Sequence, residues 1–235
     1  MKITKYEQSG FLVETESGFR LAFDIGNKTP IEKINNDGGI CDIDALLISH
    51  IHGDHFDISN IKKISPKNLY LNAECLEEWE KVNGEEKSPE TKDNLDQKDD
   101  TNDSIKITKI KSGDSIMVGD ISVRYFTVDH GPNISAPVEN LGFILEADGQ
   151  KIYFAGDMFY EPGLNIASGI EDISDMEVEY LLLPIGTFYT FGPDEAFTFA
   201  KKFKHIGKII PMHYDKTPET RDAFIELAGG VFDIL

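Results

Sequence analysis

Three of the six histidines in this chain fall within six consecutive positions, His50-Ile51-His52-Gly53-Asp54-His55, directly after the apolar run Asp44–Ser49. Imidazole and carboxylate are donors suited to zinc and similar borderline ions, and four of them this close together serve two ions better than one. A single histidine beside an apolar strand is ordinarily a packed structural residue. Four potential ligands where a strand runs out into a loop are not readily packed that way, because loops on a rigid scaffold are where sites are built. Side chains repeat with period two along a strand, which places His50 and His52 on one face. Gly53 lets the backbone turn, and Asp54 and His55 then project from a loop or a first helical turn.

Three further candidates each terminate a predicted strand. His130 ends the run Ile121–Asp129 and precedes Gly131-Pro132; Asp157 follows Lys151–Ala155 in Ala155-Gly156-Asp157; His213 follows Lys208–Pro211 in Pro211-Met212-His213-Tyr214. Each is a weak signal alone, but sheet ends on a common rim are where a site assembles. Asp24 ends the run Phe19–Asp24, where orienting a ligand histidine and a simple turn role are equal alternatives. Tyr189 and Tyr214, with Phe188, adjoin the predicted site loops and either line a pocket or only pack. His205 is placed near the end of a helix, where a cation suits the dipole, and reads as structural.

The elements that must position these groups follow from patterning. Ile3–Glu7, Gly10–Glu14 and Phe19–Asp24 are short β-prone runs separated by turn signals, and Asp44–Ser49 has the continuous apolar character of a strand buried on both faces. Ile58, Ile61 and Ile64 have helical spacing, bounded by Pro66, with a strand expected at Asn68–Asn72 and a short helix around Trp79. Strands are expected at Ile105–Ile110, Ser115–Val118, Ile121–Val128, Gly142–Glu146, Lys151–Ala155, Tyr180–Pro184 and Lys208–Pro211. Helices are expected over Asp194–Phe203 and from Thr217 through Leu227. Between Glu77 and Ser104 acids accumulate and aliphatic residues almost vanish, so about 84–104 is expected to be a mobile, solvated loop. Strands followed by helix–strand alternation argue for mixed sheets with helices outside.

Length and composition bound the rest. The chain has 235 residues, 40% of them hydrophobic and 28% charged, enough for a buried core. No apolar run approaches the ~18–20 residues of a membrane span, and Met1–Glu7 is polar at once, unlike a secretory leader. The net charge of −19 disfavours general binding to nucleic acid or anionic membrane, while leaving room for a small anionic substrate at a local cation. Cys41 and Cys75 are the only cysteines, and two isolated thiols are most simply reduced. The expected location is the cytoplasm.

The motifs taken in order, His50-Ile51-His52-Gly53-Asp54-His55, then His130, Asp157 in Ala-Gly-Asp and His213 in Pro-Met-His, resemble those of metallo-β-lactamase-fold hydrolases. Leu182-Leu183-Pro184-Ile185-Gly186, Phe191-Gly192-Pro193-Asp194-Glu195-Ala196 and Ile210-Pro211-Met212-His213-Tyr214 are similar to the UlaG-like branch, which includes an ascorbate-phosphate lactonase. The resemblance runs along nearly the whole chain. It implies an α/β fold (α+β in some schemes), a four-layer αββα sandwich of two similar halves, and a single domain over 1–235 with the acidic stretch as an insertion. It further implies that His50, His52 and His130 hold a first metal, that Asp54, His55 and His213 hold a second, and that Asp157 bridges them. Zinc is the first expectation, with manganese or iron as alternatives. The best-known zinc β-lactamases have cysteine where this chain offers Asp157, and flavodiiron oxygen reductases have glutamate where it has His52, so antibiotic resistance and redox iron chemistry are both disfavoured.

Two divalent ions ~3.5–4 Å apart lower the pKa of a water between them toward neutrality and polarise the oxygen it attacks. Asp54 has a second expected task, holding the proton of that nucleophile and aiming its lone pair. The leading expectation is hydrolysis of a small ester, lactone or related carbonyl compound. Phosphodiester hydrolysis, including that of a short RNA strand, and a non-catalytic metal-binding scaffold are the alternatives.

Overall fold

The computed structural model describes residues 1–31, 42–85, 105–131, 133–134, 136–159, 173–214 and 217–235. Strands β1 (Lys2–Lys5), β2 (Phe11–Glu14), β3 (Arg20–Phe23), β4 (Ala45–Leu47), β5 (Asn68–Leu71) and β6 (Lys106–Lys109) form one sheet in sequence order. The second sheet runs β12 (His205–Met212), β11 (Glu177–Pro184), β10 (Gln150–Phe154), β9 (Leu141–Ala147), β8 (Ile121–Thr127), β7 (Ser115–Val118). Each sheet begins as an antiparallel meander and ends in parallel strands: β3–β4–β5–β6 in the first, β10–β11–β12 in the second. Parallel pairing needs crossovers; α1 (Ile58–Ile64) joins β4 to β5, α2 (Ala73–Glu85) lies between β5 and β6, α3 (Pro193–Ala200) joins β11 to β12, and α4 (Pro218–Ala228) follows β12.

Alternation along the strands sorts side chains into three apolar layers. Phe11, Val13, Leu21, Phe23, Ala45 and Leu47 from the first sheet meet Tyr125, Phe143, Ile152, Phe154, Leu182 and Met212 from the second. Phe23 and Phe154 cross edge to face at 4.9 Å, and Phe143 stacks on Phe154 at 5.3 Å. The intervening residues point outward. Leu12, Ala22, Leu46 and Ile48 cover Ile61 and Ile64 of α1 and Cys75 and Trp79 of α2, while Tyr153, Leu181, Leu183 and Ile209 cover Phe199 of α3 and Phe224 of α4. The result is the expected order of layers, helices–sheet–sheet–helices.

Local signals account for most boundaries. Asp57 caps α1 by accepting from the Asn60 backbone N–H at 2.7 Å, and Ser65 ends it in the left-handed region. Pro193 and Pro218 open α3 and α4 at positions whose N–H needs no partner. Several boundaries differ from expectation. β11 begins at Glu177 and β12 at His205, each three residues early: the two segments pair with each other (Glu177 with His205, Val178 with Ile206), and their single apolar residues, Val178 and Ile206, stand among exposed or half-buried neighbours. His205 is therefore an exposed strand residue, and no helix end lies beside it, since α3 stops at Ala200. α2 starts at Ala73 and continues to Glu85; of the acidic stretch at 84–104, residues 86–104 lie outside the described residues, as does Cys41. Cys75 is a free, buried thiol, which burial pushes above its usual range. Among the described residues no helix is long and apolar enough to cross a membrane.

Candidate metal centre

The ends of β3, β4, β8, β10 and β12 open on one rim, and the chain leaves each of them carrying a polar side chain. Asp24 follows β3, Ser49 to His55 follow β4, His130 follows β8, Asp157 follows β10 and His213 follows β12. Because β4 ends at Leu47, His50 and His52 lie beyond the strand, so period-two alternation does not bring them together. The turning backbone does. The 50–56 segment is closed by hydrogen bonds from the N–H groups of His55 and Phe56 to the carbonyl of His52. Several of these positions are left-handed: Asp24 at φ 53°, His213 at 61° and Gly156, just before Asp157, at 59°. Gly156 meets that requirement without a Cβ penalty, while the others store strain of the kind found at functional sites.

The seven residues form two groups: His50, His52, His130 and Asp157, and Asp54, His55 and His213. Within each, the candidate donor atoms all lie within 4.8 Å of one another. In the first, His52 Nδ1 is 3.0 Å from His50 Nε2 and 3.1 Å from His130 Nε2. Asp157 Oδ2 lies 3.4 Å from His130 Nε2 and 3.8 Å from His50 Nε2. In the second, His213 Nε2 is 3.4 Å from Asp54 Oδ2, and Asp157 reaches this group as well, through Oδ2 to His213 Nε2 at 3.1 Å and Oδ1 to His55 Nε2 at 3.1 Å. Tetrahedral zinc with bonds of ~2.0–2.1 Å keeps its donors about 3.3 Å apart, a spacing these distances bracket.

Hydrogen bonding alone does not explain the arrangement. His55 Nε2 and Asp157 Oδ1 are buried and only 3.1 Å apart, yet neither is aligned with a hydrogen-bond partner. Buried nitrogen and oxygen atoms this close together without an aligned partner are the kind of donor pair that a cation could take. A buried polar atom without a partner costs about 1–3 kcal/mol, so a ligand that takes both is favoured. The donor set, histidine nitrogens with aspartate oxygens, fits a borderline divalent metal.

A buried scaffold fixes the ring orientations. Asp24 is fully buried and accepts from Ser49 N at 2.8 Å, Ser49 Oγ at 2.6 Å and His55 Nδ1 at 2.8 Å. With its own hydrogen donated to Asp24, Ser49 Oγ accepts from His50 Nδ1 at 2.9 Å. One carboxylate thus sets the tautomers of two imidazoles, one in each group, and leaves Nε2 of both facing inward. Asp24 is thus bonded to one candidate ligand directly and to a second through Ser49. Ser49 and Gln8 escaped sequence reasoning. Gln8 Nε2 donates to Asp54 Oδ2 at 3.1 Å from a turn whose only local signal was Ser9-Gly10.

Electrostatics divide the centre. Burial and the neighbouring His55 push His50 well below the usual imidazole range, and burial with His130 lowers His52, so these rings are neutral with lone pairs available. Burial works against charge on His55 and His213, but Asp157 outweighs it, raising His55 well above its usual range and His213 to about 9. Asp157 and Asp54 are likewise held low against burial, Asp157 by His213 and His55 and Asp54 by its hydrogen bond to His213. A cation entering this group takes the place of those protons.

His50, His55, His130 and Asp157 are buried and form the floor, whereas His52, Asp54 and His213 are half-buried and face the opening. Gly186, after β11, passes so close to His213 that a Cβ would lie 1.9 Å from its carbonyl oxygen. Phe188 and Tyr189 follow, 64% and 48% exposed, with rings 4.6 Å apart. Their loop is tied to the Asp157 segment by Phe191 N–H to the Met158 carbonyl, and to the His130 segment by the Asn133 side chain on the Phe188 carbonyl. Tyr214 is half-buried against the α3–α4 layer, with the Lys5 ammonium 5.0 Å from its ring centre.

Two facing mixed sheets with outer helices and a histidine–aspartate centre on one rim define the metallo-β-lactamase class of folds. The beta-lactamase superfamily domain matches residues 2–213, and the chain belongs to that family. It is 26% identical, over 96% of its length and 78% of the relative's, to a UPF0173 metal-dependent hydrolase of Polynucleobacter asymbioticus. Among solved structures it is similar to Igni18, a metallo hydrolase from Ignicoccus hospitalis (TM-score 0.66, 18% identity, 99% of this chain and 93% of that one). It is similar also to the metallo-beta-lactamase fold protein YhfI from Bacillus subtilis (TM-score 0.66, 17% identity, 97% and 89%). At these identities the structural likenesses speak for the fold.

Proposed function

We propose that the chain is a metal-dependent hydrolase acting as one unit over 1–235 on a small ester, lactone or related carbonyl substrate, with two divalent ions, zinc foremost. The convergence of two donor groups on one shared carboxylate carries this reading. His50, His52 and His130 would hold one ion, Asp54, His55 and His213 the other, with Asp157 between them. Such a pair of ions supplies a water activated near neutral pH and a positive charge for the oxygen that becomes negative. Hydrolase naming among the relatives supports the reading, as does the intactness of all seven donor positions.

The residues of the chain perform the remaining tasks. Asp54, held ionised and fixed through Oδ2, would hold the proton of the attacking water or hydroxide and so aim its lone pair. Asp24 and Ser49 keep the His50 and His55 rings from rotating, so the donors are in place before substrate arrives. Tyr189 and Phe188 form one wall of the entrance and Tyr214 supports the His213 side. With a net charge of −19 over the chain, the cations are the natural anchor for an anionic group.

Purified protein loaded with zinc or with manganese, and offered an aryl lactone, bis(p-nitrophenyl) phosphate, nitrocefin and a fluorescent RNA, tests this. Turnover is expected with the lactone, abolished by chelation and restored by adding back the metal. Turnover of the phosphodiester or RNA alone would replace the carbonyl reading with a phosphodiesterase, and inactivity throughout would favour a metal-binding scaffold.

A further inference from the structure

We infer that Gln8 is the positioning residue of the Asp54–His55–His213 group, gripping two of its three members from the turn between β1 and β2. The inference rests on the two-cation reading above. Gln8 is 2% exposed and sits in the left-handed region at φ 55°, an unusual conformation for glutamine that aims both ends of the residue at the centre. Its side-chain N–H donates to Asp54 Oδ2 at 3.1 Å, the same oxygen that lies 3.4 Å from His213 Nε2. Its main-chain carbonyl accepts the His213 N–H at 3.2 Å, and His213 is itself left-handed at φ 61°. Thus one residue fixes the carboxylate rotamer of Asp54 and the backbone of His213, which arrive from chain positions 46 and 205 residues away.

The turn that presents Gln8 is closed by its own bonds, from Tyr6 N–H to the Gly10 carbonyl at 2.8 Å and from Gly10 N–H to the Glu7 carbonyl at 3.2 Å. Beside it Lys5 donates to the Tyr6 carbonyl and lies over the Tyr214 ring, a second tie to the segment carrying His213. The two bonds go to Asp54 and His213, whereas His50 in the first group is met by Ser49 Oγ. The two groups share Asp157 and the Asp24–Ser49 pair, but the Gln8 bonds to Asp54 and His213 serve the second group. A change in the Gln8 side chain is therefore expected to act chiefly on the second ion.

Isothermal titration of the metal-free, full-length protein with Mn²⁺ and with Zn²⁺ tests this without recourse to activity. Two binding events are expected for the wild type. Gln8→Glu keeps the shape of the side chain and the main-chain carbonyl but replaces the N–H donor by a carboxylate facing Asp54; Gln8→Leu removes the polar group altogether. In both, one event should weaken by about 10–100-fold, the range for loss of a group that orients a metal ligand, while the other stays within about twofold. If Gln8→Leu fails to fold, Gln8→Glu carries the test. Two unchanged events, or two events weakened alike, would overturn the role of Gln8 while leaving two cations in place. Fewer than two events in the wild type would overturn the two-cation reading, and this inference with it.

Discussion

Asp157→Ala is expected to empty both donor groups at once, where substitution of any other candidate ligand empties chiefly its own. Asp157 lies within 3.8 Å of His50 Nε2, 3.4 Å of His130 Nε2 and 3.1 Å of both His55 Nε2 and His213 Nε2. It is also the acid that holds His55 and His213 charged in the absence of metal, so its loss removes the attraction for cations of either kind. Elemental analysis after metal loading should find less than half the wild-type content. Hydrolysis should fall by at least about 10²–10³-fold, the scale for losing one preorganised electrostatic contact. His52→Ala, by contrast, should leave the Asp54–His55–His213 group loaded. Wild-type metal content in Asp157→Ala would remove the bridge from the account.

Asp24→Asn should be the most destabilising polar substitution in the site. Asparagine tolerates the left-handed backbone at φ 53° much as aspartate does, so the substitution isolates the hydrogen bonds. One oxygen that now accepts becomes a donor facing groups that also donate, Ser49 Oγ, Ser49 N or His55 Nδ1. Breaking a fully buried pair of this kind costs about 3–5 kcal/mol, which in a chain of this length lowers Tm by about 6–20 °C. Metal affinity should fall about 10–100-fold, because both His50 and His55 lose the partner that fixes their tautomer. Thermal unfolding of metal-free protein reads the first effect and a metal titration the second. A Tm within a degree or two of wild type would show that the Asp24–Ser49–His50 relay is not what holds the rings.

Much of this architecture was legible in the residues, for identifiable physical reasons. Short β-prone runs between turn signals mark β2, β3, β8 and β10, and a continuous apolar run marks β4, which is buried on both faces. Proline at the starts of α3 and α4 marked their boundaries. The donor set was legible because its members are of types rarely buried together and because five of the seven follow strand ends within a few residues. What was hidden has a common cause in contacts distant in sequence. Gln8 reaches Asp54 across 46 positions, and nothing in Glu7-Gln8-Ser9 distinguishes it from an ordinary turn. Ser49 looked like the polar end of a strand until Asp24 was found on its hydroxyl. The early starts of β11 and β12 were missed because one apolar residue in each, Val178 and Ile206, stands among polar or glycine neighbours and makes no run. His50 and His52 were grouped for the wrong geometric reason, since strand periodicity does not extend past Leu47.

The account turns on where cations sit. Diffraction from crystals of the zinc-loaded protein, with data collected on both sides of the zinc absorption edge, locates them without reference to activity or substrate. Two anomalous peaks are predicted, one among His50, His52 and His130 and one among Asp54, His55 and His213, with Asp157 between them. A single peak, or peaks confined to the acidic surface, would contradict it.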